Sequence, residues 1–363
     1  MNYAILFKLQ SVILGAIAVA FAVCIGVAFA YDHQIRSDMA VSGFSISFMV
    51  AICLSIGCFI LGKTGDDKLF RKEALATIGI GWIIASLVGA LPYFLILPDI
   101  SFTEAFFEST SGLTTTGASI LSDLESLPRS LHVWRAMSQW MGGLGVVVFF
   151  VAVLSFLGAG AKVLFSRESS ASAADLNTSR VQSGVMKLVQ LYLGLSVICT
   201  VVYWMCGLSW FDSIIHMFTT LSTGGFSTRS GSIADFNNPS LEWAITGFMA
   251  IGGTSFLLII DTLGRKWRSI KNSTEVKAYY FLLIGFTTAI TLFLMMQDHN
   301  NMGWMEAIRT SAFQVVSIMT TTGFASADFD LWLPVTHILL LAAMIIGGCS
   351  GSTAGGTKVI RII

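Results

Sequence analysis

The sequence predicts an all-α integral membrane protein, and two observations carry that prediction. Hydrophobic residues make up 55% of the 363 positions and charged residues only 12%, with a mean hydropathy of +0.77. An ordinary soluble domain of this size does not have so apolar a composition. The apolar residues also fall into stretches of about 20 residues, the length that an α-helix needs to cross a hydrocarbon layer about 30 Å thick.

Eight such stretches are found along the chain, and the eighth is interrupted. They are the segments 9–30, 41–62, 74–97, 131–157, 184–207, 241–263, 277–296 and 331–346. The first is too long for a signal peptide and lacks a cleavage site of small residues, so we interpret it as a retained span.

The positive charges are distributed unevenly between the two sets of span ends. One set carries most of the Lys and Arg residues, and the other carries only Arg36, Arg129, Arg135, Arg229 and Arg309. The positive-inside rule therefore predicts a multi-pass protein of the cytoplasmic (inner) membrane with its N-terminus in the cytoplasm. Acidic residues of the other set are expected to face outside, where they attract cations or are simply solvated. They include Glu104, Glu108, Asp212 and Glu306.

Three parts of the chain share one pattern, which indicates an internal repeat. An apolar span is followed by an acidic residue, an amphipathic stretch, a segment rich in Thr or Ser that ends in glycine, and a second span with a Gly-Gly pair. The glycine segments read "TSGLTTTGAS" (110–119), "LSTGGFST" (221–228) and "MTTTGFAS" (319–326). The period is about 100 residues, so each unit is a supersecondary module.

The stretch before each glycine segment is too short to cross a membrane. Its ~10 to 14 residues correspond to about half a bilayer at a rise of ~1.5 Å per residue. We therefore predict a re-entrant half-helix that enters from outside, followed by non-helical backbone at membrane depth. Because hydrocarbon cannot satisfy such backbone, this segment must be buried in protein or line an aqueous pathway.

A short run of threonine and glycine offers main-chain carbonyl oxygens to a cation. Glycine allows positive φ and a close approach of several chains, and threonine can turn a hydroxyl and a carbonyl inward. Rings of carbonyls replace the hydration shell of the ion in potassium channels, and a half-helix C-terminus adds partial negative charge. The three segments therefore predict a cation filter. The alternative is that these small residues only allow helices to pack closely.

A second glycine-rich run, "IGGCSGSTAGGTK" (346–358), interrupts the eighth span. Glycine at this frequency does not form a stable helix. A flexible break on the cytoplasmic side of the third glycine segment would suit a gate. The alternative is a helix end at the membrane surface.

Other readings stay open on the residues alone. His132, His216 and Asp212 with nearby serines could form a nucleophile and its base, although the chain lacks a G-x-S-x-G or H-E-x-x-H motif. We expect these side chains at the outer rim, where a histidine at a helix end is more often a solvated cap. Transport is either passive or coupled to an ion, and coupling would need a carboxylate in the membrane, for which Asp261 is the only candidate.

At "TTTGAS", "STGGFS", "TTTGFA" and "GGCSGSTAGGTK" the chain resembles the TrkH/TrkG/KtrB superfamily of potassium transporters over essentially its whole length. Two extra spans before the first repeat make it more similar to the TrkH branch. The resemblance implies repeated M1-P-M2 units (span, re-entrant half-helix, filter loop, span) around a pseudo-fourfold pore. The division would be 1–63 for two extra N-terminal transmembrane helices, then 64–160, 161–265 and 266–363 for the first, second and third repeats.

The resemblance also implies a site, a ligand and partners. The chain would transport potassium ions across a lipid membrane and would not be an enzyme. It would form a homodimer and bind a cytoplasmic nucleotide-binding regulatory subunit (TrkA-like). It would not bind nucleic acid. In related plant transporters a serine at the first filter glycine accompanies sodium transport, so Gly117 favours potassium. The implied potassium ligands are Thr114, Thr115, Thr116, Gly117, Ser222, Thr223, Gly224, Gly225, Thr320, Thr321, Thr322 and Gly323. The implied gate comprises Gly347, Gly348, Ser350, Gly351, Ser352, Gly355 and Gly356.

The family pattern has a fourth repeat that this sequence does not contain. The chain stops at Ile363, just after the third gating loop, without a fourth filter strand or the arginine that the family carries in its last M2 helix. We therefore expect a partial chain rather than a complete three-repeat channel. A fragment or scaffold that does not transport is the corresponding alternative.

Overall fold

The computed structural model describes residues 2–32, 37–63, 71–156, 178–264, 271–297 and 302–363. Within these ranges the regular structure is helical and contains no strand, which confirms the predicted all-α membrane architecture. The α-helices are α1 (Tyr3–Tyr31), α2 (Ser37–Gly62), α3 (Arg71–Ile96), α4 (Phe102–Leu113), α5 (Arg129–Phe156), α6 (Thr178–Met205), α7 (Trp210–Leu221), α8 (Pro239–Gly252), α9 (Phe256–Leu263), α10 (Thr274–Met295), α11 (Trp304–Met319) and α12 (Pro334–Ile346).

Five helices of the described chain are long and apolar enough to cross a membrane, namely α1, α2, α3, α6 and α10. Large apolar side chains on their outer surfaces are exposed, as at Val12 (66%), Val197 (65%) and Ile284 (66%). In water such surface would be unfavourable, whereas acyl chains cover it without penalty. The chain is therefore a multi-pass membrane protein.

The predicted sixth span, 241–263, is not one helix. It consists of α8 and α9, which meet at an angle of 97°. The break falls at Gly253 and Thr254, where a Cβ added to Gly253 would lie 2.8 Å from Thr320 Cγ2. The sequence prediction of a continuous span is therefore wrong here, because glycine has a poor helix propensity and the close contacts of Gly253 leave no room for a side chain.

The three short helices α4, α7 and α11 precede the three glycine segments, and α11 alone among them is longer than the predicted ~10 to 14 residues. They contain 12, 12 and 16 residues. Ser101 caps α4 in a capping box with Glu104, whose carboxylate accepts a hydrogen bond from Ser101 N at 2.8 Å. These hydrogen bonds lower the pKa of the Glu104 carboxyl below its usual value and keep it charged at the N-terminal end of the helix.

The structure divides into two compact units. The first contains residues 1–114 and 118–139. Its core includes Phe21, whose ring centroid lies 4.6 Å from that of Trp134. The indole Nε1 of Trp134 donates to Gly89 O at 3.0 Å, so this buried polar group is satisfied and fixes α5 against α3.

The second unit contains residues 115–117 and 140–363. Large buried side chains in its core include Tyr192, Tyr203, Phe256, Tyr279 and Phe313. Residues 115–117 of the first glycine segment and all of the second and third segments belong to this unit. The repeat boundaries at 64–160, 161–265 and 266–363 stay a prediction, and the basic connectors between them lie largely outside the described residues.

Candidate ion-binding site

The three glycine segments have the same backbone conformation. A threonine and a glycine two residues later both have positive φ in each segment: 56° and 79° at Thr115 and Gly117, 53° and 77° at Thr223 and Gly225, 58° and 84° at Thr321 and Gly323. A β-branched residue rarely adopts this left-handed conformation, which costs about 1–3 kcal/mol. Three such threonines at equivalent places indicate a conformation that the surrounding structure enforces.

Carbonyl oxygens of neighbouring segments lie against the glycines. A Cβ placed on Gly117 would overlap Gly224 O and would lie 3.6 Å from Thr322 O, and a Cβ placed on Gly225 would overlap Thr322 O. The second segment is therefore beside the first and also beside the third. No described atom lies within 4 Å of the corresponding position on Gly323. Gly117 and Gly225 are required because the main chains approach too closely there for any side chain.

The main-chain N–H groups of the segments bond back to their half-helices. Thr219 O accepts from Gly224 N at 2.9 Å and from Gly225 N at 3.2 Å. Ser317 O accepts in the same way from Thr322 N at 2.9 Å and from Gly323 N at 3.3 Å. This pattern satisfies carbonyls at the helix C-terminus and fixes the orientation of each peptide plane in the segment.

The first hydroxyl of each segment bonds back to the half-helix. Thr114, Ser222 and Thr320 donate to the carbonyl four residues earlier, each at 2.7 Å. Thr223 and Thr321 donate to the carbonyl of the preceding residue, at 2.7 and 2.6 Å. These five hydroxyls therefore donate their protons within the protein, and the expectation that threonine turns its hydroxyl toward an ion stays a prediction.

A buried polar residue nine positions before the last glycine of each glycine segment supports the chain that follows the segment. These residues are Glu108, His216 and Gln314, with exposures of 0%, 0% and 1%. Sequence reasoning missed this set, because the three residue types have little in common. The signal was the identical spacing from Gly117, Gly225 and Gly323.

In the first unit the support is an ion pair. The Glu108 carboxylate accepts from Ser119 Oγ at 2.9 Å and from Ile120 N at 3.2 Å. Arg135 NH2 lies 3.0 Å from Glu108 Oε1, and the two side chains are 2% and 0% exposed. We had expected Glu108 and Arg135 to face the outer solution. That expectation is wrong, because each charge neutralises the other inside the protein.

In the second unit the corresponding support of the second segment is a histidine. His216 Nδ1 is 2.8 Å from Asp212 O and Nε2 is 3.1 Å from Ser227 Oγ. Because a carbonyl only accepts, Nδ1 carries the proton and Nε2 accepts from Ser227. His132 is also buried, with 5% exposure, and its Nε2 is 2.9 Å from Leu124 O. The expectation of solvated caps is wrong for both histidines.

The third segment is supported by neutral groups. Ser317 Oγ donates to Phe324 O at 2.6 Å, and Gln314 Nε2 donates to Ala327 O at 3.3 Å. The acid at the start of this half-helix, Glu306, is one turn farther from its glycine than Glu104 and Asp212 are from theirs, since α11 is longer than α4 and α7.

Buried carboxylates are more numerous than the sequence suggested. Asp261 was the only candidate for a carboxylate in the membrane, yet Glu108, Glu242 and Glu275 are 0%, 8% and 7% exposed. Glu242 accepts from Arg309 Nε at 2.9 Å. In the part of the chain that the structure describes, these carboxylates do not cluster with His or Cys into a metal site.

The glycine-rich run packs against the glycine segments. Gly347, Gly351 and Gly356 have φ of 72°, 71° and 74°, and the run is non-helical up to a single 3-10 turn at Val359–Arg361. Gly355 N donates to Thr321 Oγ1 at 2.7 Å. Thr353, absent from the sequence-based gate residues, lies with its Oγ1 3.0 Å from Leu221 O.

Known proteins are similar to this chain in sequence and in fold. The TrkH family profile, described as cation transport protein, matches residues 40–363. The chain is 36% identical over 333 residues to the Trk system potassium uptake protein TrkH of Escherichia coli (strain K12), which covers 91% of this chain and 68% of that protein. It is 33% identical over 323 residues to the Trk system potassium uptake protein TrkG of the same strain, with coverage of 88% and 66%.

A solved structure matches as well. The crystal structure of the potassium transporter TrkH from Vibrio parahaemolyticus superimposes with a TM-score of 0.89 at 30% sequence identity. The match covers 100% of this chain and 74% of that chain. Sequence and structure therefore agree, and the chain belongs to the TrkH family of cation transport proteins.

Proposed function

We propose that this chain takes up potassium through a pore whose selectivity filter consists of main-chain carbonyls of residues 114–117, 222–225 and 320–323. The observation that carries the proposal is the contact of Gly224 O and Thr322 O with the glycines of the neighbouring segments. The relatives named as potassium uptake proteins support the choice of ion.

The chemistry of the proposed filter is replacement of water by carbonyl oxygens. A potassium ion that enters loses hydration oxygens and gains main-chain oxygens held at fixed positions. The C-terminal ends of α7 and α11 lie immediately before the filter residues, and their partial negative charge favours a cation there. Because the peptide planes are fixed by Thr219 O and Ser317 O, the filter would not collapse around a smaller ion without breaking those hydrogen bonds.

The glycine-rich residues Gly347, Gly348, Ser350, Gly351, Ser352, Gly355 and Gly356 would form the gate. Support for this role comes from their non-helical backbone and from their direct hydrogen bond to a filter threonine. The N-terminus would lie in the cytoplasm of a cell with this protein in its inner membrane. A homodimer and a nucleotide-binding regulatory subunit are further proposals, in line with the naming of relatives as parts of a Trk system.

The filter is tested by adding one methyl group at a time. Gly117→Ala and Gly225→Ala should lower the ratio of potassium to sodium permeability by about tenfold, equivalent to ~1.4 kcal/mol, because the methyl displaces a neighbouring carbonyl. Gly207→Ala is the matched control, since Gly207 also has positive φ (98°) but its nearest neighbour is Asn238 Nδ2 at 3.8 Å. Permeability is measured in proteoliposomes from reversal potentials. An unchanged ratio in both filter variants would overturn the proposal.

The enzyme hypothesis has no support. The matched family is one of cation transport proteins, which confirms the prediction that the chain is not an enzyme. His132 bonds to the main-chain oxygen of Leu124. His216 accepts from Ser227 Oγ, but its Nδ1 donates to the main-chain oxygen of Asp212 and not to the carboxylate.

A further inference from the structure

We propose that two threonines latch the glycine-rich loop 347–356 to the filter, so that loop position controls conduction through Thr321 and Thr353. The inference rests on the proposed function and adds the residues that couple its two parts. Both are positioning residues, since they act through the loop and the filter main chain.

Thr321 joins the loop to the third filter segment. Its hydroxyl donates to Thr320 O at 2.6 Å and accepts from Gly355 N at 2.7 Å. Thr223 occupies the equivalent place in the second segment and donates to Ser222 O at 2.7 Å. Among the described hydrogen bonds, Thr223 receives none from a loop of this kind. The loop contact is therefore an addition specific to the third segment.

Thr353 joins the loop to the half-helix that precedes the second filter segment. Its side chain is buried, and Oγ1 lies 3.0 Å from both Leu221 O and Gly252 O. Leu221 and Gly252 are the last residues of α7 and α8, where carbonyls lack helical partners. The single hydroxyl proton serves one oxygen at a time, while Thr353 N also donates to Gly252 O at 3.3 Å.

Beside Thr321 the loop approaches too closely for a side chain, and two of its glycines pack tightly. A Cβ on Gly355 would lie 2.9 Å from Thr321 Oγ1, and one on Gly347 would lie 2.9 Å from Gly356 Cα. At its other side the loop is fixed by Ser350 N, which donates to Glu275 Oε1 at 2.6 Å on α10. A loop that moves away from the filter must therefore break the contacts of Thr321 and Thr353.

The free energy of one latch hydrogen bond is small enough for the loop to move between two positions. A net hydrogen bond contributes about 1 kcal/mol, which changes an equilibrium between two loop positions about fivefold. Loss of a latch bond should therefore shift the loop toward the released position without unfolding the protein.

The first experiment compares Thr321→Val with Thr223→Val in proteoliposomes that contain potassium inside and radioactive rubidium outside. Each variant loses the hydrogen bond from its hydroxyl to the preceding carbonyl, but only Thr321→Val also loses the hydrogen bond from Gly355 N of the loop. We expect uptake by Thr321→Val to be about fivefold higher than uptake by Thr223→Val. Equal uptake would overturn the latch.

The second experiment uses Thr353 and has its own rescue. Thr353→Val should raise uptake about fivefold, and Thr353→Ser, which keeps the hydroxyl, should restore the wild-type rate. Hydrogen exchange of the Gly355 amide, measured by mass spectrometry, should become faster in Thr321→Val than in Thr223→Val. Faster exchange with unchanged uptake would show a bond that does not control conduction, which also overturns the proposal.

Deletion of 347–356 separates the latch from the proposed function. If the wild type takes up rubidium and the deletion raises uptake, while Thr321→Val and Thr353→Val match their controls, only the latch is wrong. If neither the wild type nor the deletion takes up rubidium, the potassium pore itself is contradicted, and the latch with it.

Discussion

The chain after the first glycine segment and the chain after the second are supported from equivalent positions of the short helices α4 and α7, but by different chemistry. Glu108 is charged and needs Arg135 as its partner, whereas His216 is held by one carbonyl and one hydroxyl. Both side chains are fully buried. The comparison teaches that this position must supply a hydrogen-bonding group to the chain that follows the glycine segment. That group can be a charged carboxylate or an imidazole. The two positions differ in how much stability the protein should lose when the hydrogen-bonding partner is removed.

The largest effect is expected where a charge would be left alone. Arg135→Met leaves the buried Glu108 carboxylate without its counter-ion and should destabilise the protein by about 3–5 kcal/mol. Thermal unfolding in detergent measures this loss. Arg309→Met is the matched control, because the pair of Arg309 with Glu242 is more exposed, at 19% and 10%, and should cost less. Adding Glu108→Gln to Arg135→Met should recover most of the stability; no recovery would contradict the ion-pair account.

An intermediate effect is expected at the histidine. His216→Ala removes the partner of Ser227 Oγ and the ring contacts with Phe236 and Phe324, whose centroids lie 5.1 and 6.0 Å away. The loss should be about 2–3 kcal/mol in the same unfolding assay. His216→Gln offers an amide at this position, as Gln314 does in the third segment, and should lose less than alanine. Equal losses would show that ring packing alone stabilises this region.

The smallest loss of stability is expected at Gln314, which supports the chain after the third glycine segment. Gln314→Leu removes one hydrogen bond of 3.3 Å to Ala327 O while Ser317 still holds Phe324 O. Stability should fall by about 1 kcal/mol, with little change in rubidium uptake. A loss as large as that of Arg135→Met would contradict the ordering of the three supports.

The sequence was sufficient for features that depend on local residues. The short helices α4, α7 and α11 follow from segments too short to span, and the similar conformation of the three glycine segments follows from a motif that repeats about every 100 residues. The break in the predicted span 241–263 was missed although Gly252 and Gly253 stand there, because glycine pairs also occur inside α5, where Gly142 and Gly143 remain helical. Tertiary contacts decide between the two outcomes.

Contacts between residues far apart in the chain could not be predicted from the sequence. Thr353 meets Leu221 across 132 positions and Gly252 across 101, and nothing in a glycine-rich run specifies those partners. Glu108 and Arg135 were assigned to the outer solution by their charge, since pairing is visible only once α4 and α5 are packed. A constant distance from the filter glycine was the one sequence signal for Glu108, His216 and Gln314.

The central claim is that carbonyl oxygens of the glycine segments hold a dehydrated potassium ion. Crystals of the protein soaked in thallium, a heavy substitute for potassium, would locate the ion by anomalous scattering. The account predicts a peak bounded by Gly224 O and Thr322 O that disappears in Gly225→Ala and remains in Gly207→Ala. A peak found only beside carboxylates such as Glu104, with none among those carbonyls, would contradict it.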